Sequence, residues 1–375
     1  MKAEPRQVEV YLNDGLEKKT DLFFGSALIK NLLPQNYNIE VKKEGYLSWK
    51  KNLEVKEKEV TEIKSVFLAP SQVRFNLLIN NVQKAWFSPD GKKIAIKEAS
   101  QGNGWSLKLY DLEKNLKSHL IKERDVSSKG AELLGIEWDN DSKKIYLNAG
   151  AKEQEKRFFL ELEKPSPVLK ETNLPRPLQG ILAAESHDNN NYYLDNLGFV
   201  LRNGTSSEAK INKTPFPVRA ETEYRLRTFD NFVFLQESGS LYLFNKENDS
   251  WEKFLEKTND VKLSPDKKKL AIFSDSEIWI FFLKNTDEQP LKKSGEKTFL
   301  TRLSEKIGDV FWLNPDYLVF NSGDKIKIAE IDDRDKINVV DLVEYKNSLI
   351  FWRENANALA VLSEGNLYQS ESFFK

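Results

Sequence analysis

The chain has 375 residues, of which 39% are hydrophobic, 11% aromatic and 31% charged, with 57 basic against 58 acidic side chains. So many large apolar side chains can build a real core, which excludes disorder of the bulk, and the even charge excludes the broad basic field of a typical nucleic-acid binder. The absence of cysteine removes disulfides, thiolate nucleophiles and cysteine-based zinc sites together. No apolar run reaches the roughly 18 residues of a membrane span, and the start, Met1 to Gln7, lacks the apolar centre of a signal peptide. The chain itself is expected to be soluble.

Residues 8–12 alternate apolar and polar and meet Asn13-Asp14-Gly15, a strand followed by a turn. An apolar stretch at 28–33 ends at Pro34. Tyr37, Ile39 and Val41 alternate again before Gly45-Tyr46, and residues 49–55 and 60–68 complete a small all-β unit closed by Ala69-Pro70. No helical period competes here, so residues 1–70 are assigned to a first, all-β domain. The features Val8-Glu9-Val10-Tyr11-Leu12-Asn13, Leu33-Pro34 with Tyr37, Ile39 and Val41, and Lys43-Glu44-Gly45-Tyr46 with Trp49 resemble a PEGA domain. That resemblance implies a small β-sandwich of the kind carried by bacterial and archaeal surface proteins. Gln35-Asn36 departs from the family pattern, mildly, because Asn tolerates the left-handed turn conformation.

Residues 71–375 are periodic. Ala85 to Ile96 reads strand, Ser88-Pro89-Asp90-Gly91 turn, strand, and residues 260–272 repeat it around Ser264-Pro265-Asp266-Lys267. Proline presets φ in such a turn, Asp favours the next position, and Gly91 accepts the positive φ that closes the hairpin. Aligning the turns on Asp90, Asp141, Asp188, Asp230, Asp266, Asp316 and Asn355 gives a period of about 44 residues, the length of a propeller blade. Seven repeats fit best, with six possible because the third and fourth are worn. The seventh has room for three strands, and the orphan strand at 73–78 is expected to close it and remove an open edge. The Ser-Pro-Asp turns followed by lysines resemble repeats of the TolB-like, WD40-like propeller group. That resemblance implies a propeller and brings no catalytic residue with it.

Chemistry is sparse. The two histidines, His119 and His187, fall on an outer strand and in a hairpin turn, and no Gly-x-Ser-x-Gly elbow occurs. Asp139-Asn140-Asp141-Ser142 and Asp332-Asp333-x-Asp335 superficially suggest calcium, but the first lacks the glycine and distal glutamate of a calcium loop, and the two read as hairpin turns and a solvated charge run. No catalytic, cofactor-binding or metal-ligating residue is assigned, and no cofactor. Trp86, Trp138, Trp312 and Trp352 recur at nearly one repeat position and are expected between blades. The candidate partner contacts are Gln101, Asn103 and Trp105, in and after the loop of the first blade, with Lys156 and Arg157 from the long charged stretch 149–157 of the second; Trp105 also reads as a strand residue.

The resulting expectation is an all-β chain, a PEGA-like sandwich followed by a seven-bladed propeller, acting as a non-catalytic surface protein that binds a protein or cell-wall glycan. No nucleic acid is expected, and membrane attachment only through an anchor outside this chain, in an extracytoplasmic setting. The alternative is a carbohydrate-active hydrolase with a carboxylate pair at the propeller channel, which in retaining enzymes stands about 5 Å apart. In a third reading the propeller is a rigid spacer and specificity lies with the sandwich.

Overall fold

The computed structural model describes residues 1–100, 104–127, 130–151, 154–164, 167–172, 180–187, 190–204 and 207–374. It divides into two compact units, one of Met1–Gln72 with Pro177–Val343 and one of Val73–Arg176 with Glu344–Lys375.

The first unit begins with an N-terminal module of six strands: β1 (Ala3–Glu4), β2 (Glu9–Leu12), β3 (Gly15–Lys19), β4 (Gln35–Lys42), β5 (Trp49–Val55) and β6 (Val66–Phe67). An antiparallel sheet of order β3-β2-β4-β5 and a parallel pair β1-β6 enclose one core, in which Val8, Val10, Tyr37, Ile39, Val41, Trp49, Leu53 and Val66 are buried. Two-residue periodicity puts these side chains on a common face. Residues 28–33 form a loop rather than a strand, and of 60–68 only β6 is extended. Leu28, Leu33 and Val60 consequently remain more than half exposed.

The repeat region is a β-propeller. Among the described residues it consists of seven four-stranded antiparallel sheets, here sheets I to VII, spanning 82–122, 132–172, 181–210, 224–255, 258–302, 307–344 and 349–370. Sheets III to VI belong mainly to the first unit; I, II and VII lie in the second. The chain supplies only three strands to sheet VII after Leu349, and β7 (Phe75–Ile79) is its fourth, pairing Phe75 with Ser370 and Ile79 with Leu367.

The turns recur in atomic detail. In sheet I the Ser88 hydroxyl donates to Asp90 at 2.6 Å and accepts from the Lys93 amide at 2.9 Å. In sheet V the Ser264 hydroxyl donates to Asp266 at 2.5 Å and accepts from the Lys269 amide at 2.9 Å. Gly91 has φ +65°, and Lys267 holds the same left-handed region at +57° without glycine's freedom. The recurring tryptophans pack between sheets: the Trp138 indole donates to the Trp86 carbonyl at 3.2 Å, and Trp312 to the Lys262 carbonyl at 3.0 Å.

Candidate functional site

Within the first unit the N-terminal module is fastened to sheets V and VI by charges that break strand patterning. On β5, Trp49, Lys51 and Leu53 share the buried phase, so a lysine stands where an apolar residue belongs. On Lys325–Glu330, Glu330 continues the buried phase of Ile326 and Ile328. The two misfits meet. Lys51 Nζ, fully buried, donates to Glu330 Oε1 at 2.5 Å, to the Asp332 carbonyl at 2.8 Å and to the Lys336 carbonyl at 3.1 Å. Those three acceptors satisfy an ammonium completely. The Glu330 carboxylate also accepts from the Trp49 indole at 2.7 Å and from the Asn338 side chain and backbone at 2.7 and 2.9 Å.

Around this pair the clasp widens. Asp335 accepts from the Asn52 amide at 2.7 Å, Gln289 from the Glu62 amide at 2.9 Å, and Arg334 donates to the Glu62 carbonyl at 2.9 Å. Tyr317 accepts from the Phe67 amide at 3.0 Å and donates to the Ser65 carbonyl at 3.2 Å. Its burial, reinforced by the charge of Glu330, pushes the phenol well above its ordinary range. The run Asp332-Asp333-x-Asp335 is thus neither a metal loop nor only solvated: Asp332 pairs with Arg334, Asp333 with Lys292, and Asp335 accepts from the Asn52 amide in the middle of β5.

Two hollows border the clasp. A cleft of about 360 Å³ lies between residues 63–65 and sheets V and VI, walled by Trp49, Phe282, Pro290 and several charged side chains. Its charges are matched internally: Lys64 with Glu288 at 2.8 Å, Lys268 with Asp287 at 3.7 Å, Lys269 with Asp266 at 3.1 Å and with Asp316 at 3.7 Å. Burial pushes the Asp266 carboxyl up, but the Ser264 hydroxyl, Lys269 and the Lys268 amide outweigh it and hold the group below its ordinary range. Such walls suit polar ligands and supply no proton donor at Asp266.

The second hollow is an open groove of about 990 Å³ on the module, between the 26–34 loop and residues 55–64. Its floor is apolar, with Ile29, Leu32, Pro34 and Val55, and Leu28 and Val60 on its walls are 59% and 68% exposed. Among the described residues no three His, Asp or Glu side chains gather as metal ligands.

Of the residues chosen from sequence, the described ones do not form a site together. Gln101 and Asn103 lie outside the described residues. Trp105 is a core residue at 5% exposure, its indole donating to the Ala131 carbonyl at 2.7 Å, so it has no face to offer a partner. Lys156 and Arg157 sit on the strand Gln154–Glu161, which pairs with Lys144–Ala151, so the described residues of 149–157 are strand and not loop. Lys156 pairs with Glu171 at 3.1 Å, and Arg157 pairs with Glu137 at 2.6 Å over the Tyr146 ring. His119 is an exposed residue of the outer strand Leu116–Lys122. Neither hollow was foreseen, although Lys51 in an apolar register was a legible signal.

The chain matches no known family, and no curated protein is similar to it in sequence. It is similar in structure to the β-propeller domain of Myceliophteria thermophila Cps50 (Swd1), at 13% identity and TM-score 0.47, over 79% of this chain and 99% of that one. It is also similar to a chain of a mitotic checkpoint complex, at 10% identity and TM-score 0.48, over 88% of this chain and 98% of that one.

Proposed function

We propose that this is a non-catalytic binding protein, in which the propeller is a rigid carrier and the N-terminal module receives an extended segment of a protein or cell-wall glycan. The groove of about 990 Å³ carries this reading. It stands at the upper end of small-ligand volumes, and its open apolar floor suits a chain laid along it. The flanking run Lys56-Glu57-Lys58-Glu59 alternates in charge, which favours a polar partner without a strong net field. The clasp to sheets V and VI fixes the base on which the groove is built. The resemblance of the module to PEGA domains, and of the Ser-Pro-Asp turns to TolB-like repeats, supports an extracytoplasmic, envelope-attached setting.

The test compares the full chain with two double variants, Leu28→Glu/Val60→Glu in the groove and Lys156→Glu/Arg157→Glu on the propeller, by cross-linking in envelope extract and on a glycan array. A ligand lost only in the groove variant supports the proposal. One lost only in the propeller variant moves binding to the blade, and one kept by both variants overturns the groove.

A second reading, the carboxylate hydrolase, has one observation in its favour. Burial pushes up the Asp309 carboxyl, with Lys262 opposing and the nearby charge of Asp260 adding to the rise. Asp260 itself is held by Arg227 at 3.1 Å and Lys262 at 2.8 Å. Glycoside cleavage by the full chain that Asp309→Asn abolishes would establish that reading.

A further inference from the structure

We propose that the loop tip at residues 22–24 of the N-terminal module docks on the surface of an anionic lipid bilayer. Leu22, Phe23 and Phe24 are 56%, 74% and 73% exposed. Isolated apolar side chains are ordinary on a soluble surface, but three large ones in succession form a patch that needs a destination. None of the three lines the cleft or the groove, so the tip is a presented surface and not a wall of either hollow.

The loop is held in shape. Asp21 accepts from the amides of Phe23 at 2.9 Å, Phe24 at 2.6 Å and Ser26 at 2.8 Å, while the Gly25 amide donates to the Asp21 carbonyl at 3.2 Å. The Ser26 hydroxyl and the Phe24 amide hold the Asp21 carboxyl far below its ordinary range, so it stays an acceptor. Gly25 has φ +64°, and a side chain there would meet the Ala3 carbonyl at 2.3 Å. Every amide from residue 23 to 26 is therefore satisfied inside the loop. That is the condition for placing a backbone against lipid, where an unpaired N–H is expensive.

The surroundings are cationic. Arg6 donates to the Leu22 carbonyl at 3.5 Å, Lys18 to the Leu28 carbonyl at 3.0 Å and Lys43 to the Arg6 carbonyl at 2.6 Å. Lys2 bridges to Ser26, and Lys30 continues the loop. None of these five cations has a carboxylate within 4.0 Å among the described residues; the carboxylates nearby in sequence are Glu4, Glu17 and Glu44, with Asp21 inside the loop turned to its amides. Phenylalanine and leucine at the tip with long cations around it fit the interface of an anionic membrane: rings enter the headgroup boundary while Lys and Arg reach the phosphates. A protein partner would instead need an apolar socket cut to fit.

The apolar tip lies outside the groove, although Lys2 and Lys30 also line it, and the test separates the two contacts by their apolar residues. Flotation of the full chain is measured with phosphatidylcholine vesicles with and without phosphatidylglycerol, for the native chain, Phe23→Ser/Phe24→Ser and Leu28→Glu/Val60→Glu. The expected result is binding to the anionic vesicles that weakens with salt, falls roughly 10- to 100-fold in the phenylalanine variant and persists in the groove variant. Because the chain has no cysteine, Phe24→Cys also takes a single polarity-sensitive fluorophore, whose emission shifts to the blue on anionic vesicles. The proposal is overturned if the native chain does not float, if the phenylalanine variant floats equally, or if the label does not shift. It is overturned too if the native chain is a dimer that the phenylalanine variant separates, which would assign the tip to a second copy.

Discussion

Replacing Lys51 by methionine tests the clasp. The ammonium is fully buried and spends its three protons on Glu330 and two carbonyls, while Glu330 is 2% exposed. Methionine matches the volume of the stem but leaves the carboxylate with only the Trp49 and Asn338 donors against its charge. Stranding one member of a buried pair costs about 3–5 kcal/mol. The amides of Asn52, Glu62 and Phe67 report the loss directly, since they donate to Asp335, Gln289 and Tyr317 across the clasp. Their hydrogen exchange should accelerate by about 100- to 5,000-fold in Lys51→Met. Adding Glu330→Gln removes the stranded charge while keeping an acceptor for the indole, and should recover all but about 1–2 kcal/mol. Acceleration below about tenfold in the single variant, or a double variant no better than the single, would refute the argument.

Tyr317→Phe removes the hydroxyl that serves the Phe67 amide and the Ser65 carbonyl, and should destabilise the same clasp by about 1–3 kcal/mol in exchange measurements. Asp309→Asn should stabilise the fold at neutral pH. A carboxyl whose folded pKa is raised contributes favourably only while protonated, and that contribution fades as pH rises through the folded value; the variant's advantage in thermal melting should therefore vanish below about pH 4. Trp105→Ala should cost about 3–5 kcal/mol in denaturant unfolding through loss of core packing, and a variant of unchanged stability would contradict its buried placement.

The blades were readable because each feature that defines them is local. The Ser88 and Ser264 turns carry their geometry in six residues. Trp138, Trp312 and Trp352 recur at one register, opposite Ile145, Leu318 and Leu359, whereas Trp86 stands one place earlier, opposite Ala95, and Phe87 takes the equivalent position; every turn aligned from sequence on a described residue joins the first two strands of a sheet. Asp188 lies outside the described residues. The loop at 28–33 was harder, because an apolar run normally goes inside and Leu28 and Leu33 do not. Trp105 allowed two readings, a strand residue or a partner contact beside a glycine-rich loop, and its side chain is the first buried position of a strand. The clasp was beyond local reading as a pair, since Lys51 and Glu330 stand 279 residues apart. Each alone was nevertheless marked, as a charge in the buried phase of an alternating strand.

The pairing of β7 with Asn366–Ser370 has a consequence for the order in which the protein can be made. The two strands are about 290 residues apart in sequence, so at roughly 5–20 residues per second β7 leaves the ribosome on the order of 15–60 seconds before its partner exists. Throughout that interval β7 lacks the strand it pairs with in the finished sheet. Sheet VII is the last of the seven to gain all its strands, and a chain stopped before Asn366 would have the other six sheets while leaving β7 without the strand it pairs with.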